Sequence, residues 1–190
     1  MSTIDTVIRE AFEVLKRGGV ILYPTDTVWG IGCDACNSEA VKRVFEIKRR
    51  SEAKSLVLLA ENLDMVGKYI KVIPQIAIDL VEVNDAPMTI IYPGAQYLAP
   101  EVVAEDGSVG IRIPMNEFCV QLMHKLHRPL VSTSANISGE PTPAGFDEIP
   151  SEIVSAVDYV VPEAFGRGAT GKASQIIKLG LRGEVEIIRP

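Results

Sequence analysis

Two runs of small polar side chains carry the chemistry of this sequence. Thr25-Asp26-Thr27 follows the apolar stretch Val20–Tyr23 and Pro24. Ser132-Thr133-Ser134-Ala135-Asn136 follows Leu130-Val131. Hydroxyls donate and accept, and an ionised Asp accepts. Polar runs at the ends of buried strands are where open α/β folds bind ligands. A third feature is the basic set Lys48, Arg50 and Lys54. Such cations hold polyphosphate oxygens, while Ser132, Ser134 and Asn136 suit phosphate or a metal-bound water. Together they point to phosphoryl or nucleotidyl transfer, in which a protein mainly positions groups and stabilises charge. Plainer readings stand beside these. Asp, Thr and Gly also build solvated turns, with Gly30 and Gly32 supplying positive φ. Lys48, Arg49 and Arg50 also suit a helix C-terminus.

Other patterns point elsewhere and are set aside. Gly166 to Ala173 approaches the phosphate-loop pattern G-x-x-x-x-G-K followed by Ser or Thr. Here Ala173 replaces the hydroxyl, and strand-like Gln175-Ile176-Ile177 follows where that mechanism needs a helix N-terminus. Cys33-x-x-Cys36 is half a zinc pattern without a second Cys pair, and His124 and His127 lie far along the chain. Order and spacing suggest no Ser/His/Asp arrangement. Arg112 is a charge inside an apolar strand signal, which needs a partner or an opening to water. Alternation places it with Gly110 and Pro114, and an edge strand facing solvent would satisfy it.

The elements that must position these residues follow from periodicity. Ile4 to Leu15 has helical spacing, with Ser2 and Asp5 as a capping box and Gly18-Gly19 as the stop. Strands are expected at Val20–Tyr23, Ile31–Cys33, Leu56–Ala60, Met88–Tyr92, Val109–Ile113 and Tyr159–Val161. Ser174–Leu179 and Glu184–Ile188 form a terminal hairpin. Further helices are expected from Asn37 or Ser38 to Lys48, Asn62 to Tyr69, Pro74 to Val83, Asn116 to Leu126 closed by Arg128-Pro129, and around Ile153–Val157. The alternation gives an α/β domain over 1–190 with a mixed sheet.

Composition narrows the class. Apolar residues are 47% and charged residues 23% of 190, ordinary for a globular domain. No apolar run approaches the roughly 20 residues of a membrane helix, and the N-terminus lacks a basic-then-apolar signal, so a cytoplasmic protein without a membrane partner is expected. Three cysteines argue against a disulfide scaffold. A net charge of −6 disfavours nucleic-acid binding by the whole surface.

In order, Thr25-Asp26-Thr27-Val28-Trp29-Gly30-Ile31-Gly32, Lys48-x-Arg50, Gly110-Ile-Arg112-Ile-Pro114, Ser132-Thr-Ser134-Ala-Asn136-Ile-Ser138-Gly139 and Ile188-Arg189-Pro190 resemble the YrdC-like threonylcarbamoyl-AMP synthases over nearly the whole chain. The resemblance implies a twisted open α/β sheet flanked by helices around a large basic concave cavity. It implies that L-threonine, bicarbonate and ATP, with magnesium, give threonylcarbamoyl-AMP and pyrophosphate. The product then passes to a transferase complex that modifies tRNA, with tRNA itself a further candidate partner. By the same resemblance Thr25, Thr27, Arg112, Ser132 and Ser174 serve threonine. Lys48, Arg50, Lys54, Ser108, Ser134, Asn136, Thr142 and Arg189 serve the nucleotide, with Lys48, Arg50, Ser134 and Asn136 nearest the chemistry; metal ligands are not assigned. The chain resembles the short form, which lacks the extra C-terminal domain of longer members. It departs from the pattern at Trp29 (usually Tyr), Ser51 (often Pro), Leu59 (often His) and Ala173-Ser174-Gln175 (usually Glu-Ser-Thr). Two alternatives share the cavity: an RNA-binding or tRNA-binding module without turnover, and a module that adenylates carbamate from carbamoyl phosphate.

Overall fold

The computed structural model describes residues 3–50 and 56–190. Lys54 and Ser51 therefore lie outside the described residues, as does Ser2 of the expected capping box. Thr3 is the first helix cap instead, its hydroxyl accepting from the Thr6 amide. That helix, α1 (Ile4–Lys16), buries Val7, Ile8, Ala11, Val14 and Leu15 as one stripe. Three more helices start on an Asn whose side chain accepts from the amide three residues on. They are α2 (Ser38–Ile47, cap Asn37), α3 (Leu63–Tyr69, cap Asn62) and α5 (Glu117–Leu126, cap Asn116). Pro74 and Pro150 precede α4 (Gln75–Val83) and α6 (Ser151–Ala156). The helix α5 is closed two residues before Pro129, by His127 in the left-handed region at φ 56°.

The strands are β1 (Ile21–Tyr23), β2 (Gly30–Gly32), β3 (Val57–Leu59), β4 (Met88–Tyr92), β5 (Val109–Arg112), β6 (Leu130–Ser134), β7 (Tyr159–Val160), β8 (Gln175–Leu179) and β9 (Val185–Arg189). They form one open sheet in the order β7-β1-β2-β6-β3-β5-β4-β8-β9. The pairs β1–β7, β3–β5 and β4–β8 are parallel and the other five antiparallel, so the sheet is mixed.

Two strands differ from expectation in ways that matter for the site. The strand β5 lies between β3 and β4, so Arg112 is on an interior strand and not at an edge. The hydroxyl run is not a loop beyond β6 but its second half, because β6 continues to Ser134. Gly30 and Gly32 are also strand residues, outside the set of positive-φ glycines. Their missing side chains make room: a Cβ on Gly32 would stand 2.1 Å from the Val131 oxygen and 2.7 Å from the Tyr23 ring. The Tyr23 side chain crosses β2 there and donates to the Val131 carbonyl at 2.9 Å. Burial raises the Tyr23 phenol far above its ordinary value, so it stays a neutral donor.

Candidate functional site

Strand alternation builds one wall of polar side chains. Thr89 and Ile91 of β4, Gly110 and Arg112 of β5 with Ser108 just before it, Ser132 and Ser134 on β6, and Ile176 and Lys178 of β8 with Ser174 just before it all line one cavity of about 980 Å3. Thr27, Arg50, Thr142 and Arg189 complete the expected residues that the wall exposes. Nine of the positions expected for threonine or nucleotide thus converge from seven separate segments.

The turn after β1 is locked from within. The Thr25 hydroxyl accepts from the Thr27 amide at 3.0 Å and donates to the Val28 carbonyl at 2.8 Å. With its hydrogen so placed, Thr25 accepts in its 2.9 Å contact with Thr27, and Thr27 donates. Thr25 therefore stands behind Thr27, outside the cavity lining. The Thr27 oxygen in turn accepts from Arg112 Nη2 at 3.2 Å. Arg112 Nη1 donates to Asp26 Oδ1, and both residues are nearly sealed, at 4% and 8% exposure. This buried pair resolves the charge in an apolar strand: Arg112 has a partner 86 residues away. Sequence reasoning placed Asp26 in the motif without seeing that role, since no spacing rule links the two.

The basic set divides. Arg50 lines the cavity. Lys48 does not: it is 1% exposed, and its ammonium donates to the carbonyls of Ser134 at 2.6 Å and Asn136 at 2.9 Å. Its own carbonyl accepts from the Ser138 amide at 3.0 Å. Lys48 is thus a clamp behind the segment 134–138, and the expectation that it presents its charge to phosphates is corrected. Burial, with the charge of Arg50 second, lowers its ammonium to about 8. Asn136 also backs the wall. Its amide nitrogen donates to Ile137 and Glu140 carbonyls, while its Oδ1 and the Ser138 hydroxyl are buried without a partner among the described residues.

At the other end, Arg189 donates through Nε and Nη2 to the Ser174 carbonyl at 2.8 and 2.6 Å. The Ser174 hydroxyl meets that of Thr89 at 2.7 Å, a buried neighbour not anticipated from sequence. Ser108 donates to Asp106, which also pairs with Lys178 at 2.6 Å. That ammonium first, then the Ser108 hydroxyl and amide, holds the Asp106 carboxyl far below the usual range. The glycine-rich segment 166–172 leads into a strand, and its Thr170 and Gly171 amides donate to the Asp26 and Thr27 carbonyls at 2.9 and 2.8 Å. Trp29 lines the cavity and packs on Phe146 with ring centroids 5.0 Å apart. Leu59 is fully buried in β3 beside Arg112.

The cysteines are free thiols, and burial pushes Cys33 well up from its ordinary value, with Asp34 adding to the shift. Among the described residues no three of His, Cys, Asp and Glu converge on a metal position. Among them, too, no helix is long and apolar enough to cross a membrane.

Comparison with known proteins agrees with this geometry. The family model Sua5/YciO/YrdC, described as "Telomere recombination", matches residues 13–190. A threonylcarbamoyl-AMP synthase of Pseudoalteromonas translucida is 32% identical over 184 residues, 95% of this chain and 97% of that protein. Among solved structures, P. abyssi Sua5 complexed with L-threonine superposes with a TM-score of 0.85 at 27% identity, over 94% of this chain and 52% of that one. A P. abyssi Sua5 variant gives 0.88 at 26% identity, over 100% and 57%. The chain spans little more than half the length of the P. abyssi proteins.

Proposed function

Because the chain belongs to the Sua5/YciO/YrdC family, we propose that it is an L-threonylcarbamoyladenylate synthase, a nucleotidyltransferase that makes threonylcarbamoyl-AMP and pyrophosphate from L-threonine, bicarbonate and ATP. The observation that carries this reading is the buried Arg112, which lines the cavity beside Thr27 on the same sheet face as Ser132 and Ser174. An arginine fork in a water-poor wall recognises a carboxylate, and the surrounding hydroxyls suit an amine and a third hydroxyl. The synthase of P. translucida and the threonine-bound Sua5 support the same assignment.

The division of labour follows from the wall. Arg112 takes the threonine carboxylate, with Thr27, Ser132 and Ser174 around the rest of the amino acid and Thr25 holding Thr27. Bicarbonate takes up a proton and loses water, and threonine's amine takes up the carbon dioxide so formed and loses a proton, giving a carbamate. A carbamate oxygen attacks the α-phosphorus, the bond to the bridging oxygen breaks, and pyrophosphate leaves with the electron pair. Arg50, Lys54 and Arg189 hold phosphate oxygens, Ser134 faces the phosphates, and Ser108 and Thr142 meet the nucleoside end. Lys48 acts by fixing the segment 134–138. Magnesium, when bound with ATP, offsets charge on the leaving group. Among the described residues the Asn136 Oδ1 and Ser138 hydroxyl are hard oxygen acceptors without a partner, but both are buried and neither residue lines the cavity, so as placed they do not fit it. In this reading the product goes to a threonylcarbamoyl transferase complex acting on tRNA in the cytoplasm.

The test is pyrophosphate release from ATP with threonine and bicarbonate omitted in turn. Release that needs both supports the synthase. Release with carbamoyl phosphate in their place points to the carbamate-adenylating alternative, and tRNA binding without any release leaves the binding module.

A further inference from the structure

We propose that Asp26 is a positioning residue that sets how Arg112 presents its guanidinium to the carboxylate of the amino-acid substrate. The inference rests on the synthase reading and assigns a role to a side chain outside the cavity lining.

The argument begins with hydrogen-bond capacity. A carboxylate with both oxygens free would take an arginine in a two-bond fork and satisfy it. Asp26 cannot do so. Its Oδ2 accepts from the Met115 amide at 3.0 Å, so only Oδ1 meets Arg112, through Nη1. Thr27 Oγ1 takes Nη2 at 3.2 Å. Two acceptors from consecutive residues fix the guanidinium plane from the turn side. The Nε–H and the second hydrogens of both terminal nitrogens have no acceptor in those two contacts, and Arg112 lines the cavity. One oxygen of Asp26 thus neutralises a buried charge while reserving donors for an incoming carboxylate.

The placement of Asp26 is itself over-determined. Pro24 ends β1, the Pro24 carbonyl accepts the Cys119 thiol at 3.4 Å, and Met115 lies just before the cap of α5. The Asp26 carbonyl takes the Thr170 amide at 2.9 Å. Asp26 is therefore held by its backbone from β1 and from the segment 166–172, and by its carboxylate from the start of α5. Its link to Arg112 makes the substrate contact depend on all three.

The experiment compares wild type with Asp26→Asn. The amide cannot accept from both Met115 and Arg112, because one of its two ends is a donor. Threonine affinity is measured by calorimetry, and KM for threonine and for ATP by pyrophosphate release. The expected result is a rise of about 10- to 100-fold in the threonine Kd and KM, with the KM for ATP within about twofold of wild type. L-Threoninamide, which lacks the carboxylate, should bind both proteins equally weakly. A general structural defect would instead raise both KM values together, and that outcome, or an unchanged threonine Kd, overturns the proposal. Wild type that neither binds threonine nor needs it for pyrophosphate release sinks the synthase reading and the proposal with it. If Asp26→Asn does not fold, Asp26→Glu carries the same comparison, since it keeps the charge and displaces it by one methylene.

Discussion

The two ends of the cavity are built on opposite plans. The end formed by the turn 24–29, β5 and β6 is sealed: Asp26, Thr27 and Arg112 are buried, and every contact described among them runs between strands or turns fixed by the core. The end formed by 104–108, β8 and β9 is open: all five residues of β9 are exposed. Its ion pair, Lys178 with Asp106, is solvated at 39% and 50% exposure. The sealed end suits a small substrate recognised by few, well-aimed groups. The open end, with Lys178 and Arg189 along it, suits a larger anionic one. The contrast teaches that polar residues of one cavity differ in what they contribute. At the sealed end they are fixed before the ligand arrives, so changes there cost both stability and activity.

Arg112→Ala should break this contrast most. It removes the carboxylate fork and strands Asp26 as a buried charge, which costs about 3–5 kcal/mol of stability. Threonine-dependent pyrophosphate release should be abolished and the melting temperature should fall steeply. Gly32→Ala comes next, since its Cβ would collide with the Val131 carbonyl and the Tyr23 ring. Denaturant unfolding should register a loss near the top of the overpacking range of about 1–3 kcal/mol. Its counterpart is Gly168→Ala in the mostly exposed segment 166–173, where φ is +87° but nothing lies within 4 Å. Only the left-handed backbone resists, at about 1 kcal/mol.

The third test uses pH. Lys48 titrates near 8 when folded and near its ordinary 10.5 when unfolded. Between these values the unfolded chain binds more protons, so this group makes folding more favourable as pH rises from about 8 to 10.5. Lys48→Met should remove that upward contribution from a plot of melting temperature against pH. It should also weaken pyrophosphate binding by loosening the segment 134–138. The smallest effect belongs to Lys178→Ala: a solvated pair contributes about 0.5 kcal/mol or less, and the change should shrink further with added salt.

Legibility in the sequence followed the range of the interaction. The helices were readable because caps and stripes are local: Asn37, Asn62 and Asn116 each act three residues along their own chain. The wall of the cavity was half readable. Its residues lie in short motifs, and the resemblance to a family marked Thr27, Arg112, Ser132 and Ser134. What escaped was which side chains face the ligand and which stand behind those that do. Lys48 read as a surface or phosphate-binding cation because lysines are seldom buried; its two carbonyl partners, 86 and 88 residues away, left no trace in spacing. An edge strand stayed open as a plain alternative for Arg112 because strand order is a tertiary property. Gly30 and Gly32 read as turn glycines because sequence cannot distinguish backbone freedom from room for a neighbour's ring.

The strand order also governs when the cavity can come into being. Of the eight pairings in the sheet, only β1–β2, β4–β5 and β8–β9 join strands consecutive in the chain. The rest, including β4–β8 and β3–β6 that close the cavity wall, must wait for long loops to close, at an entropic cost that slows folding. The hairpin of β8 and β9 is local and can form early, although alone it is only marginally stable, and Leu181, Val185, Ile187 and Ile188 stay exposed on it even in the folded sheet. Before it finds β4 it offers apolar side chains and unpaired amides to other chains. For a protein of this topology, the vulnerable interval is the time its last hairpin spends undocked during synthesis.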